Sequence, residues 1–294
     1  MRRDIIKGCG LPSCPILPIS REHSMIRMIA ATAAVFLAFS ATAQTTAAEL
    51  ISHRAIYRLS LASLSPDSEI SAAEGGIGYE ISDGCDGWIV EQQFAMRIMW
   101  SDGNEIETSD SFASWESKDG LKYRFNIRKF RNGTEYMVIN GSAELSSRNG
   151  PGTATFDAPE SETIALPRGT IFPTEHTDRL LQKARKGEKF DRQLVFDGSE
   201  VEGAAPVSAF ILAQRPPAED GLLEPPLGPH PVWPMKLAFY AAEGKAGAGE
   251  ELPDFELSMD LQENGVATKL VLHFDDFALN GTLERIEHLP DVGC

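Results

Sequence analysis

Turn-forming dipeptides punctuate this chain, and apolar and polar residues alternate between them. Asn-Gly stands at Asn132-Gly133, Asn140-Gly141, Asn149-Gly150, Asn264-Gly265 and Asn280-Gly281, and Asp83, Asp86, Asp102, Asp119, Asp197 and Asp220 are each followed by glycine. Such pairs supply the positive φ angles that tight hairpins need. In 121–128, Leu121, Tyr123, Phe125 and Ile127 point one way, while Lys122, Arg124, Asn126 and Arg128 point the other. In 255–262, Phe255, Leu257, Met259 and Leu261 oppose Glu256, Ser258, Asp260 and Gln262. Antiparallel sheets with one buried and one wet face produce this pattern. The sequence therefore predicts a mainly β chain. Long runs at 88–100 and 104–117 predict a strongly twisted or closed sheet.

One short helix is predicted near 175–186. Thr174 is placed to cap it, Glu175 and Asp178 suit its positive end, and Lys183, Arg185 and Lys186 suit the other. Gly187 stops it. The stretch 215–234 holds Pro216, Pro217, Pro225, Pro226, Pro229, Pro231 and Pro234. It is predicted to be an exposed, partly rigid loop and is excluded as a central strand. Strand-like alternation resumes beyond it, so 44–294 is read as one domain with an excursion.

The segment 25–43 reads as a cleaved signal peptide. Arg27 is its basic start, Met28 to Phe39 its apolar centre, and Ala41-Thr42-Ala43 its cleavage site. The apolar stretch is too short to span a hydrocarbon core of ~30 Å. Residues 1–24, with Arg2, Arg3, Lys7, Pro12, Pro15, Pro18 and Arg21, read as a gene-model extension upstream of a start at Met25. Export places the remaining chain in the periplasm. The formal charge of −16 excludes nucleic acid and anionic bilayers as natural partners. Beyond residue 43 the cysteines are Cys85 and Cys294. In an exported chain they read as one disulfide, with two free thiols or a link between chains as the alternatives. For so long a loop the chain-entropy contribution reaches about 5 kcal/mol as an upper figure.

A catalytic constellation does not emerge. There is no glycine-rich phosphate loop, nucleophile elbow, HExxH or CxxC, so neither a cofactor nor a metal is expected. His176 beside Glu175 reads as decoration of the helix start. His273 and Asp275 fall on one strand face but are too few to hold a metal. Lys122, Arg124, Arg128, Lys129 and Arg131 form a basic stripe, which could capture an anionic lipid or glycan. The plainer reading pairs it with Glu105, Glu107, Asp110 and Glu116 on the preceding strand. Trp88, Trp100 and Trp115 read as core residues, whereas Trp233, in the proline-rich stretch, reads as an exposed anchor.

Several segments together resemble a known family. They are Ser52-His53-Arg54-Ala55-Ile56-Tyr57 with Leu59 and Leu61, Asp83-Gly84-Cys85-Asp86-Gly87-Trp88, the run Leu166 to Thr177 containing Phe172-Pro173-Thr174-Glu175-His176-Thr177, Pro253 to Gly265, and the terminal Cys294. They resemble the envelope integrity protein B (EipB) family of exported Gram-negative proteins. The resemblance implies a periplasmic monomer, a long antiparallel sheet curled into a β-spiral or barrel-like shell, and a structural disulfide between Cys85 and Cys294. It also implies a part in envelope integrity under stress, without established catalysis. The leading expectation is a non-catalytic protein that contacts other periplasmic or envelope proteins. The alternative is a lipid or glycan carrier using a cavity in the curled sheet. A third reading, a hydrolase, would rest on His176 or His273.

Overall fold

The structure is a computed structural model, and it describes residues 50–217, 221–242, 252–290 and 293. The predicted signal peptide, the upstream extension and Cys294 lie outside the described residues. Fifteen strands form one sheet. They are β1 (His53–Leu64), β2 (Ile70–Asp83), β3 (Gly87–Trp100), β4 (Glu105–Ser117), β5 (Lys122–Arg131), β6 (Thr134–Leu145), β7 (Gly152–Ala158), β8 (Glu162–Leu166), β9 (Thr170–Ile171), β10 (Phe190–Val195), β11 (Ala205–Ile211), β12 (Val232–Phe239), β13 (Phe255–Gln262), β14 (Ala267–His273) and β15 (Phe277–His288). The helix is α1 (Pro173–Arg185), between β9 and β10.

The strand order explains the shape. From β1 the chain meanders outward through successive hairpins to β8. It then crosses to the opposite end of the sheet at β9 and meanders back to β15, which pairs with β1. Two wings, β1–β8 and β9–β15, are thus sewn together along the β1–β15 seam. The two sheet ends, β8 and β9, are joined by residues 167–169 alone, so the sheet is nearly closed on itself. Every pairing is antiparallel except the short β9–β10 contact.

The alternation predicted from sequence places the core. Tyr123, Phe125 and Ile127 of β5 are buried while Lys122, Arg124 and Arg128 are exposed. Three apolar clusters fill the interior. One centres on β1, β2, β14 and β15 with Tyr57, Leu59, Leu279 and Leu283. A second lies under α1, where Leu180 and Leu181 meet Val207, Ile211, Trp233 and Met235. The third is aromatic: Tyr123, Phe125, Phe156, Phe172 and Phe196 pack against one another with ring centroids between 5.0 and 6.5 Å apart.

Two turn expectations need correction. Asn132-Gly133 does form the β5–β6 hairpin, with φ of 49° and 75°. Asn140-Gly141 and Asn280-Gly281, however, lie inside β6 and β15. There glycine serves close approach: a methyl at Gly141 would collide with the Thr155 carbonyl of β7, and one at Gly281 would press on Leu270 of β14.

The proline-rich stretch is also corrected. Its Leu223 and Leu227 are buried in the first cluster. Gln262 Nε2 and Asn264 Nδ2 both donate to the Leu227 carbonyl, and His230 N donates to Gln262 Oε1. The stretch is therefore fastened over the core, not held out in solvent. Its last residues, Val232, Trp233 and Pro234, belong to β12, between β11 and β13. Pro234 is tolerated because regular β11–β12 pairing ends at Ile211 opposite Met235. The Pro234 carbonyl still accepts Leu212 N at 2.9 Å. The absent N–H faces the same side, where β11 has already ended.

Phe156→Ala should cost about 3–5 kcal/mol in chemical denaturation, because it empties the centre of the aromatic cluster. Tyr136→Ala, at a half-exposed ring, should stay within roughly 0.5 kcal/mol. Equal losses at the two positions would show that the aromatic cluster is not a core.

Candidate functional site

One end of the shell, where β4, the β2–β3 turn and the start of α1 meet, concentrates the unusual chemistry. In β4 the register sets Glu116 opposite Tyr123, an inward position, and Glu116 is only 2 % exposed. Its Oε2 accepts Thr174 N at 2.7 Å and its Oε1 accepts Glu175 N at 2.8 Å. These are orphan amides of the first turn of α1. The N-cap residue is Phe172, which supplies no side-chain oxygen, and Pro173 follows it. The predicted cap at Thr174 is therefore overturned. A carboxyl from a strand 58 residues earlier takes that part. Burial pushes Glu116 up to about 7, against the opposite pull of the two amides.

Beside Glu116 lies a polar cavity of about 360 Å³. Lys118, Arg148, Arg179, Glu175 and Asp178 line it, with Trp88 as an aromatic wall. Arg148 pairs with Glu175 at 3.1 Å. Lys118 pairs with Asp83 at 2.8 Å and lies 3.3 Å over the Trp88 ring. Asp83 Oδ1 in turn accepts Cys85 N at 2.9 Å, and Cys85 takes φ 67° at the turn. Gly87, next to this turn, lies against the Trp115 indole, where a methyl would clash. Cys85 thus sits in a turn tied through Asp83 to Lys118, which lines the cavity.

The other candidate residues scatter. His176 points into the interior, and burial pulls it down to about 4. Its Nε2 and Asp191 Oδ2 are buried without hydrogen-bond partners. His273 closes β14, and its Nε2 lies 3.3 Å from Ser258 Oγ. Asp275 falls in the turn after the strand, so the shared face expected for the two is not formed. Among the described residues no group of three or more His, Cys, Asp or Glu could hold a metal ion.

The basic stripe is partnered differently from the expectation. Lys129 faces Asp110 across the strands but pairs with Glu200 at 2.5 Å. Arg128 pairs with Glu135 at 2.5 Å. Arg124 and Arg131 lie over Trp115 and Tyr136, and Glu107 pairs with Arg97. Trp88 and Trp100 pack against the core clusters as expected. Trp233 is buried at 5 % exposure, which overturns its reading as an exposed anchor.

A second, larger hollow of about 720 Å³ lies across β1–β4. Gly75, Gly76 and Ala95 give it a shallow floor, and Arg58, Glu74 and Arg97 stand along it. On the outer face of β10 and β11, Phe190 and Phe210 form a cross-strand pair with centroids 5.2 Å apart. With Leu212 they remain about half exposed.

The sign of the His176 effect follows from its burial. Between its unfolded value of 6.5 and about 4 the folded protein binds this proton less readily than the unfolded chain. Its contribution to stability is complete above 6.5 and is lost as pH falls toward 4. In an NMR titration the His176 ring should stay neutral down to about pH 5; a midpoint near the unperturbed value would contradict its placement.

A family model described as EipB-like matches residues 44–290. The chain is 26 % identical over 256 residues to the cell envelope integrity protein EipB of Brucella abortus (strain 2308), covering 86 % of this chain and 89 % of that one. A crystal structure of a β-barrel-like protein of the domain of unknown function DUF1849, also from Brucella abortus, superposes with a TM-score of 0.74 at 25 % identity. That match covers 82 % of this chain and 99 % of the other. With a family match across the whole of the sheet and a shared barrel-like architecture, the chain belongs to the EipB-like family.

Proposed function

We propose that this protein is a non-catalytic periplasmic protein that contributes to cell envelope integrity by contacting other envelope proteins. The name of its Brucella relative supports the envelope role, and the export-type segment at 25–43 supports the compartment. The observation that carries the contact reading is the apolar patch of Phe190, Phe210 and Leu212. Two aromatic rings, paired at a tilt and left half exposed on an outer sheet face, mark a surface that another protein can cover.

A second reading draws on the hollow across β1–β4. Its glycine and alanine floor is flanked by the charged side chains of Arg58, Glu74 and Arg97. It suits a glycan better than a lipid tail.

The proposal includes a disulfide between Cys85 and Cys294. Leu289 N donates to Ser52 O, and Asp83 N donates to Ser52 Oγ, both at 3.0 Å. The point where the chain leaves β15 is therefore about two strand spacings, ~10 Å, from the Cys85 turn. Five further residues reach up to ~16 Å, enough to bring the two Cα atoms within bonding range. Alkylation of the denatured, unreduced protein should label neither cysteine; labelling of both would remove the bond from the account.

In a strain lacking the protein, wild type should restore resistance to detergents and cell-wall antibiotics. A Phe190→Ser, Phe210→Ser double variant should fold, as judged by an unchanged melting curve, yet fail to restore it. Full rescue by that variant would refute the patch as the contact surface.

A further inference from the structure

The outer face of β10–β12 carries a charge opposite to that of the molecule. The chain holds 43 acidic against 27 basic residues. Yet the side chains this face exposes are Phe190 and Arg192 of β10, Phe210 of β11, Leu212 just beyond it and Lys236 of β12. The register brings them together. Phe190 stands opposite Phe210, and Phe210 stands opposite Lys236. Arg192 and Leu212 lie two residues along on the same side, at opposite ends of the aromatic pair.

Neither cation is neutralised from within the described chain. Among the described residues no carboxylate comes within ion-pair distance of Arg192 or Lys236. Asp191 of β10 points inward and is buried, and Glu188 is paired with Lys183. On the next strand Glu256 and Asp260 stand diagonally from Lys236, which faces Ser258. The Arg192 guanidinium lies over the Tyr240 ring at 5.5 Å. That contact uses its charge and none of its N–H donors.

Resting on the contact reading of this patch, we propose that its occupant is a short acidic segment of a partner envelope protein. The segment lays an apolar side chain on the Phe190–Phe210 pair and one carboxylate on each of Arg192 and Lys236. The spacing suits an extended chain. Two strands over and two residues along, the Arg192 and Lys236 Cα atoms are ~12 Å apart. An extended segment covers that distance in about four residues. Its first, third and fifth side chains share a face, so two carboxylates with an apolar residue midway meet both cations and pass beside Phe210. Arg192 offers the carboxylate a two-pronged hydrogen bond, and Lys236 a point charge.

A bilayer fits this face less well. An anionic membrane presents its charge to the whole molecule, and the net charge of −16 opposes its approach. A short segment meets only the local cations, since charges beyond a Debye length of about 8 Å are largely screened. The two rings also lie against each other at 5.2 Å, with about half of each buried, and do not project as a wedge.

The test uses two capped pentapeptides in an NMR titration of the wild-type protein. One has glutamate at its first and fifth positions around a central phenylalanine; the other has glutamine in place of glutamate. The glutamate peptide should shift the amides of Phe190, Arg192, Phe210 and Lys236. It should bind at least about fivefold more tightly than the glutamine peptide at low salt, and the difference should vanish in ~1 M salt. Equal binding of the two peptides, or binding of neither, would overturn the proposal. Pelleting with vesicles of phosphatidylglycerol and phosphatidylcholine, lost in an Arg192→Glu, Lys236→Glu variant, would overturn it too, because the cations would then serve a membrane. In the strain lacking the protein, that charge-reversed variant, with an unchanged melting curve, should fail to restore resistance. Full rescue by it where Phe190→Ser, Phe210→Ser fails would leave the contact patch standing and refute its acidic occupant. Rescue by both would refute the patch and its occupant together.

Discussion

The pairing of β1 with β15 joins the first strand of the sheet to the last, from His53 opposite His288 to Leu64 opposite Phe277. Each wing alone is a meander with one open edge at β1 or β15. Only their union gives a core shared by the two, with Ala55, Tyr57 and Leu59 facing Leu279 and Leu283. The contact closes a chain segment of more than two hundred residues, so its formation carries a large entropic cost that local hairpins do not. Side chains reinforce it from both faces. Tyr57 Oη donates to the Ala267 carbonyl at 2.6 Å on the inside. On the outside Arg54 spans Glu80 and Glu287, and Arg58 meets Glu284. The exposed pairs add little individually; the buried apolar rows hold the seam.

Helix α1 follows directly on β9, which with β8 forms the two ends of the strand order. β8 ends at Leu166, β9 is only two residues long, and the two lie at opposite ends of the strand order. The helix is fixed at its start by a carboxyl of one wing and along its length by the apolar face of the other. The proposed Cys85–Cys294 bond would fasten the β15 end of the seam to the turn beside the same cavity. Seam, helix and cysteine turn thus converge on one end of the shell, and the exposed Phe190–Phe210 pair lies on the wing that the helix covers.

Much of this was legible in the sequence. Period-two alternation in 121–128 identified a real strand with the correct inward face; that in 255–262 identified a real strand, but Gln262, read on its wet face, is fully buried. The long runs became β3 and β4, and Gly187 ends the helix with φ 74°. What local pattern could not supply was register. Glu116 reads as one more acidic residue on a strand until its position opposite Tyr123 is known, and then it must point inward. Asn140-Gly141 and Asn280-Gly281 look like hairpin turns because the dipeptide signals allowed φ values, not the crowding by a neighbouring strand that determines these two. The proline-rich stretch was misjudged for a similar reason. Proline composition reports a lost donor, whereas Leu223, Leu227 and Trp233 report burial, and burial won.

The dependence of the shell on its seam is tested most directly by native-state hydrogen exchange across the whole chain. Amides of β1 and β15, from Ala55 to Leu59 and from Leu279 to Leu283, should belong to the slowest class and open only with global unfolding. The account would be contradicted if those amides exchanged well ahead of the β5–β6 amides, since the wings would then be stable without the pairing that is held here to unite them.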